Sequence, residues 1–342
     1  MKKFRLLAVG SNNFCAGSFY RGNIPLIELR RELPQLELTC LWDLPQSSFH
    51  TLREFDGVFV WNPSVPPHLD LIATAKQMRM PIWTDIDDFI FAMPDSNPFK
   101  QQKIMAGVFG VAEKCFQMSD FLTVSTPELA KQMAPFNQNI SVIENAFNDA
   151  LLGPLKPKLP PAKARRKTLA WRGGSSHWED IQKVCGSLED FYGTYPEWGV
   201  LTIGDIPYPL IDGIPLDNPK RFCSLPWSSV VEYFVNLSKI QPRVLIVPLH
   251  DSVFNRCKSN VAWQEAMFAN SLVIAPDWAE WRRPGVLSYT GPDDFQRALT
   301  QVVEHCSDAE FDAQVTAGWE CVPKLSQVNL KRARILQQMG MV

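Results

Sequence analysis

The segment RVLIVPLHDSVFNRCKSNVAWQEAMFANSLVIAP, residues 243 to 276, decides the fold. An apolar run (243–249) gives way to polar residues. A helical pattern follows from about Ser259 to Phe268, then a second apolar run (271–276). Short apolar runs flanking a helix read as buried parallel strands, so this is a βαβ unit. Asn270 suits a left-handed cap at the end of that helix. Asn255 or Ser259 can cap its start, and the free N–H groups of a first helical turn favour an anion. Arg256 and Lys258 add full positive charge beside them. Lys258, Val261 and Glu265 fall on one side of the helix at i, i+3 and i+7. At about 1.5 Å per residue, Lys258 and Glu265 stand roughly 10 Å apart along the axis. A diphosphate held at the helix start would place its ribose about that far away, where a carboxylate can accept from the two hydroxyls. A capped surface helix with solvated charges accounts for the same residues. Against it, Glu265 sits among Ala262, Ala266 and Phe268, which makes a purely solvated acid less natural.

The same alternation extends in both directions. Apolar runs at 4–9, 56–61, 81–84 and 121–125 alternate with helical patterns at 25–33 and 68–78. Residues 151–167 hold four prolines and six cations with little periodicity, which reads as a linker. Strand-like runs then resume at 168–173, 198–204, 243–249 and 271–276. The expected fold is α/β, with two Rossmann-like doubly wound domains facing each other across a cleft. The expected boundaries are 1–155 for the first domain, 156–167 for the Pro/Lys/Arg-rich linker and 168–327 for the second domain. Residues 328–342 are expected to form a terminal helix that could pack on either domain, with a return to the first domain as one option. At 342 residues the chain is long enough for two cores.

Composition narrows the function. The chain is 46% hydrophobic and 20% charged, with a net charge of −2, so no global basic field points to nucleic acid. Eight cysteines show no CxxC pair, which favours a reducing, cytoplasmic setting over a disulfide framework. The start reads as a first strand rather than a signal peptide, and no apolar run reaches the roughly 20 residues of a membrane span. GxxxxGK[ST], GxGxxG, GxSxG and HExxH are all absent.

A second anion-ready helix start lies at LAWRGGSSHWEDI (169–181). A strand ends at Arg172 and Gly173, Gly174 permits close backbone approach, and Ser176 with Glu179 fits a capping box. Residues Gly173, Gly174 and Ser175 form the loop, and His177 stands in the first turn, either packed or donating to a phosphate or sugar oxygen. In PIWTDIDDFIF (81–91), Asp85, Asp87 and Asp88 follow a strand. Asp85 and Asp87 spell a DxD, which holds a divalent metal in another fold, and a turn with a helix cap is the plain alternative. After the first strand, Asn23 can cap a helix, and Tyr20 and Arg21 are candidate cleft residues. The remaining histidines (50, 68, 250, 305) sit singly and read as structural or solvated. Trp278 and Trp281 can line a sugar pocket, although the sequence does not rank them above core residues.

Taken in order, SFYRGNIPLIEL (18–29), PIWTDIDDFIFAMPDSNP (81–98), FLTVSTPELAKQM (121–133), SVIENAFND (141–149), LAWRGGSSHWEDI (169–181) and PLHDSVFNRCKSNVAWQEAMFANSLVIAPD (248–277) resemble the GT-B glycosyltransferases, near the retaining family 4 group. The resemblance spans most of the chain. It implies a nucleotide-sugar donor such as a UDP-sugar, with Glu265 on the ribose and Arg256 and Lys258 on the diphosphate. It places the Gly173–Gly174–Ser175 loop beside the donor; in such a cleft Asp87 or Asp88 would face the acceptor as the catalytic residue, orienting or deprotonating its hydroxyl or steadying positive charge on the sugar. It implies no cofactor and no metal. Acceptors compatible with it are a glycan, a protein or a modified DNA base, as in bacterial or phage enzymes that share this architecture. A sugar-nucleotide epimerase, a GT-A-type transferase using Asp85 and Asp87, and an inactive nucleotide-binding homologue remain as alternatives. In one departure, Cys257 occupies the place, eight residues before Glu265, where many family members carry a further Glu.

Overall fold

The computed structural model describes residues 3–10, 15–41, 48–211, 214, 218 and 221–342. Residues 11–14, which begin the loop that runs from Gly10 to Asn23, lie outside it, as does the side chain of His50. Among the described residues, twelve strands form two sheets. The first holds β1 (Phe4–Val9), β2 (Leu36–Leu41), β3 (Gly57–Trp61), β4 (Ile82–Ile86), β5 (Phe121–Val124) and β6 (Ile140–Val142), in the order β2-β1-β3-β4-β5-β6. The second holds β7 (Arg166–Gly173), β8 (Gly199–Gly204), β9 (Phe222–Leu225), β10 (Pro242–Ile246), β11 (Leu272–Pro276) and β12 (Val286–Tyr289), in the order β12-β11-β10-β7-β8-β9. Every strand pair is parallel.

Parallel pairing forces each connection to cross over, and the crossing helices cover both faces. The central strands are therefore apolar on both sides. In β1, Leu6 and Ala8 join one buried cluster while Leu7 and Val9 join the opposite one. In β10, Val244 and Ile246 face one core and Leu245 the other. Burying each such side chain contributes about 1.5–3 kcal/mol.

The first sheet connects to the second through residues 156–165, and much of this basic stretch is engaged rather than solvated. Arg165 pairs with Asp308 and Asp312 of the helix Asp308–Cys321. Lys156 donates to Asn270 and stacks 5.0 Å from the Trp319 ring. The terminal helix Leu325–Gln338 lies on the first sheet's side, with Leu325, Val328 and Ile335 in the cluster of Phe4 and Leu6. Among the described residues no helix is long and apolar enough to cross a membrane.

Three expected caps do not form. The second helix starts at Asn23 itself, with Gly22 as N-cap, so Asn23 lies inside the helix and does not cap it. Ser252 caps a short helix, Val253–Arg256, and the main helix begins only at Val261, so neither Asn255 nor Ser259 caps it. The capping box of Ser176 and Glu179 is also absent, because a 3-10 turn (Ser175–His177) precedes the helix Trp178–Gln182 and Glu179 accepts from Ser96 across the cleft instead.

Candidate active site

The carboxyl ends of β4, β7 and β10 converge on one cleft of about 610 Å³. Glu265, Lys258 and Ser259 line one wall, with Arg172, Ser176 and His177 beside them, and Asp87 and Asp88 line the other. This is the position in which open parallel sheets take ligands.

Glu265 lies on the helix Val261–Phe268, which is buried from Ala262 to its end. The side chain itself is only 6% exposed. Such a carboxylate is tolerated only when its lone pairs are filled. Tyr20 donates to Oε1 at 3.2 Å, Tyr233 donates to Oε2 at 2.9 Å, and the Arg172 guanidinium stands 2.8 Å from Oε2. Burial and the Glu265 charge push both phenols well above their ordinary range, so they act as donors. Tyr20 comes from the first half of the chain and Tyr233 from the second, so Glu265 is gripped from both sides of the cleft.

Lys258 packs its ammonium 4.5 Å over the Phe254 ring and 3.7 Å from Asp88 across the cleft. Arg256 does not reach the cavity. It is half exposed, bonds to Asp251 at 2.7 Å and stacks on Trp278. Asn255 is buried, donating to Asp180 at 2.8 Å, and so holds the loop rather than a ligand. Ser259 accepts from Asn145 of the first half at 2.8 Å. Trp281 lines the cavity and Trp278 does not.

The glycine loop is occupied by the protein's own acid. The N–H of Ser175 donates to Asp205 at 2.6 Å, and the other Asp205 oxygen accepts from Trp227 at 2.9 Å. Gly204, at φ +99°, permits this closure, because a Cβ there would stand 2.6 Å from the carbonyl of Gly173. Gly173, Gly174 and Ser175 thus form a braced rim, and Ser176 and His177 are the loop residues that line the cleft.

On the opposite wall the three aspartates part company. Asp85 is 1% exposed and held by Arg21, whose Nε donates at 2.9 Å, with Thr123 on the same carboxylate. Both oxygens of Asp85 are therefore spent inside the first half, and Asp85 with Asp87 does not present a paired metal-binding face. Arg21, also 1% exposed, is a core cation rather than a cleft contact, because burial of Asp85 requires it. Asp87 and Asp88 reach the cavity. Burial, then the neighbouring Asp88 charge, pushes the Asp87 carboxyl up to about 7, against the pull of Arg21.

Cys257 does not line the cavity. It is fully buried among Ile86, Phe89 and Phe116, and burial pushes its thiol up to about 12. The carbonyl of Cys257 accepts from Thr126 at 3.0 Å, tying the two halves together.

Four contributors gave no usable sequence signal. Tyr233, Asn145 and Lys103 are brought in from distant elements, and His250, read as a solitary histidine, shares Asp180 with His177. Asp180 is the exception, since it stands three residues after His177, on the same face of the turn.

The chain superposes over 98% of its length on the whole of an α-glucosyltransferase in complex with UDP and a 13-mer DNA containing a HMU base, at TM-score 0.63 and 11% identity. It superposes over 99% of its length on the whole of Anabaena HepE in complex with UDP, at TM-score 0.63 and 12% identity. A UDP-GlcNAc 2-epimerase from Neisseria meningitidis bound to UDP-GlcNAc matches at TM-score 0.57 and 12% identity, over 98% of this chain and 100% of that one. The fold is GT-B. No protein-family model and no curated protein sequence matches the chain. At these identities the likeness carries the GT-B architecture and not the activity.

Proposed function

We propose that this GT-B chain is a glycosyltransferase that moves a sugar from a nucleoside diphosphate sugar, UDP-linked in the first instance, to a hydroxyl acceptor. The observation that carries the reading is the buried Glu265 carboxylate, clamped by Arg172, Tyr20 and Tyr233 on the same cavity that Lys258 lines. Two cations and an ordered acid on one wall suit a diphosphate followed by a ribose. Lys258 and Arg172, rather than Arg256, would stabilise the charge that builds on the departing diphosphate. Asp87 and Asp88, on the facing wall, would take the acceptor side. The retaining course follows the family 4 resemblance. The reading needs no cofactor and no metal, because the positive charge comes from side chains. A glycan is the favoured acceptor, with a DNA base as the second.

The UDP-bound structures that share the fold support a nucleotide donor. Since epimerases also share it, an epimerase is the second reading. A thermal-shift panel of UDP-, GDP-, ADP- and CDP-sugars, with and without magnesium or manganese, tests the donor, because a ligand that binds the folded state raises the midpoint. Glu265→Ala should weaken the best donor about tenfold or more, as loss of a charge-assisted hydrogen bond does. Unchanged affinity would remove Glu265 from the site. Conversion of a nucleotide-sugar incubated alone would favour the epimerase, and binding without product under any acceptor would leave a nucleotide-binding homologue.

A further inference from the structure

Asp180 is 3% exposed and sits behind the cleft wall, on the helix Trp178–Gln182. Its Oδ2 lies 2.8 Å from His177 Nδ1. Its Oδ1 accepts from the backbone N–H of His250 at 3.0 Å and from Asn255 Nδ2 at 2.8 Å, with His250 Nδ1 2.6 Å away. A carboxylate so surrounded is ionised, and its partners hold it below the usual carboxylate range despite burial. An ionised carboxylate only accepts, so Nδ1 of His177 carries a proton.

The rest of the ring is then fixed. Cδ2 of His177 faces Gly173, where an added Cβ would stand 3.4 Å from it. Nδ1 is turned to Asp180, which leaves the Nε2–Cε1 edge for the cavity that His177 lines. Among the described residues Nε2 has no hydrogen-bond partner. Burial, then the charge of Lys258, with Arg172 adding to it, opposes a second proton on the ring, against the pull of Asp180. His250 faces His177 only through the shared carboxylate. An imidazole protonated at Nδ1 alone offers a lone pair at Nε2. His177 therefore does not donate to a phosphate. It is a neutral acceptor on a wall that also carries the cations Arg172 and Lys258, the Glu265 carboxylate and the hydroxyls of Ser176 and Ser259.

We propose that His177 Nε2 accepts a hydrogen bond from a hydroxyl of the bound donor sugar, and that Asp180 is the positioning residue that fixes this tautomer. The proposal rests on the nucleotide-sugar reading for its ligand, but the state of the ring is measurable without any ligand.

The first test is a nitrogen-15 spectrum of the full-length protein labelled at its five histidines, with His177 assigned by His177→Phe. At pH 7.5 His177 should show a protonated Nδ1 and a bare Nε2. A doubly protonated ring, or a proton on Nε2, would overturn the proposal. Asp180→Asn should move the His177 proton to Nε2, because an amide can donate to Nδ1. An unchanged tautomer in that variant would refute the positioning role. The second test compares binding of UDP and UDP-glucose, UDP-galactose and UDP-GlcNAc. His177→Phe should weaken the best UDP-sugar by about 3- to 10-fold while leaving UDP within about twofold, the size of one lost hydrogen bond. Equal weakening of UDP and UDP-sugar would sink the sugar-hydroxyl contact. If no nucleotide binds, the donor reading itself has failed, whereas the spectrum still decides the state of His177. Thermal unfolding of each variant shows whether it is folded, and if Asp180→Asn fails to fold, His177→Phe and the wild-type spectrum still decide the proposal.

Discussion

Asp87 holds the residue-scale chemistry on the acceptor wall. Its carboxyl is pushed up to about 7 by burial and by Asp88. The folded-state value lies above the unfolded value of about 3.9, so the native state holds this proton more tightly. The stability this contributes is present below about pH 4 and is lost as pH rises to about 7. Asp87→Asn should therefore stabilise the protein relative to wild type by an amount that grows across that window, on the order of a few kcal/mol at pH 8. Thermal unfolding at pH 5 and pH 8 reads the difference, and an equal shift at both would show that Asp87 is not perturbed. If the ionised form is the catalytic one, the wild-type rate should climb through about pH 7 and the variant should lose that limb. Cys257 makes the second residue-scale case. Its side chain lies among Ile86, Phe89 and Phe116, with the Glu128 and Asp88 charges nearby. Cys257→Glu should lower stability by about 2–4 kcal/mol, because it buries an unpaired acid. A variant as stable as wild type, with a tighter donor, would show that this position reaches the ligand after all.

At the scale of elements, legibility followed burial. The central strands β1, β3, β4, β5, β7, β8, β10 and β11 are built around buried apolar residues, and the sequence marks each of them within about three residues. The four strands it does not mark, β2, β6, β9 and β12, are the edges of the two sheets. An edge strand in a parallel sheet has one hydrogen-bonded neighbour and a partly wet face, so its pattern mixes polar and apolar residues. The end of the βαβ helix was legible for a different reason. Asn270 takes φ +56°, a left-handed conformation that Asn tolerates and Ala does not. It also binds Gln241 at 2.8 Å. Asn270→Gly should lose only the side-chain contacts, whereas Asn270→Ala should cost about 1 kcal/mol more. Chemical denaturation of both variants measures that gap, and equal losses would exclude backbone strain as the reason for Asn. The starts of helices were less legible, since Ser, Asn and Asp are abundant near them and only the folded chain selects which one caps.

At the scale of the molecule, the two halves share a buried apolar cluster, in which Phe19 and Phe147 join Phe234 and Phe268, and they also meet through polar contacts across the cleft. Ser96 meets Glu179, Asn145 meets Ser259, Tyr20 meets Glu265 and Lys258 faces Asp88. Ser96–Glu179 is exposed and Asn145–Ser259 partly buried, whereas Tyr20–Glu265 is buried, so the first two are the contacts that can open and close around a ligand. Ser96→Ala with Asn145→Ala should enlarge the radius of gyration of the unliganded protein in X-ray scattering, and saturating nucleotide-sugar should restore it. An unchanged radius without ligand would mean that these bonds do not set the spacing of the halves.

The sequence by itself determined the two α/β sheets and the candidates Glu265, Lys258, Asp87 and Asp88, because strand burial and residues after strand ends leave local, periodic traces. Only the tertiary structure decided which candidates share a cavity. It turned Arg256 outward to Asp251, spent Arg21 on Asp85, filled the glycine loop with Asp205 and set Asp180 behind His177. The physical reason is that a buried charge is satisfied by whichever partner the fold brings near it. Those partners lie from 3 to 64 residues away along the chain, so spacing alone cannot name them.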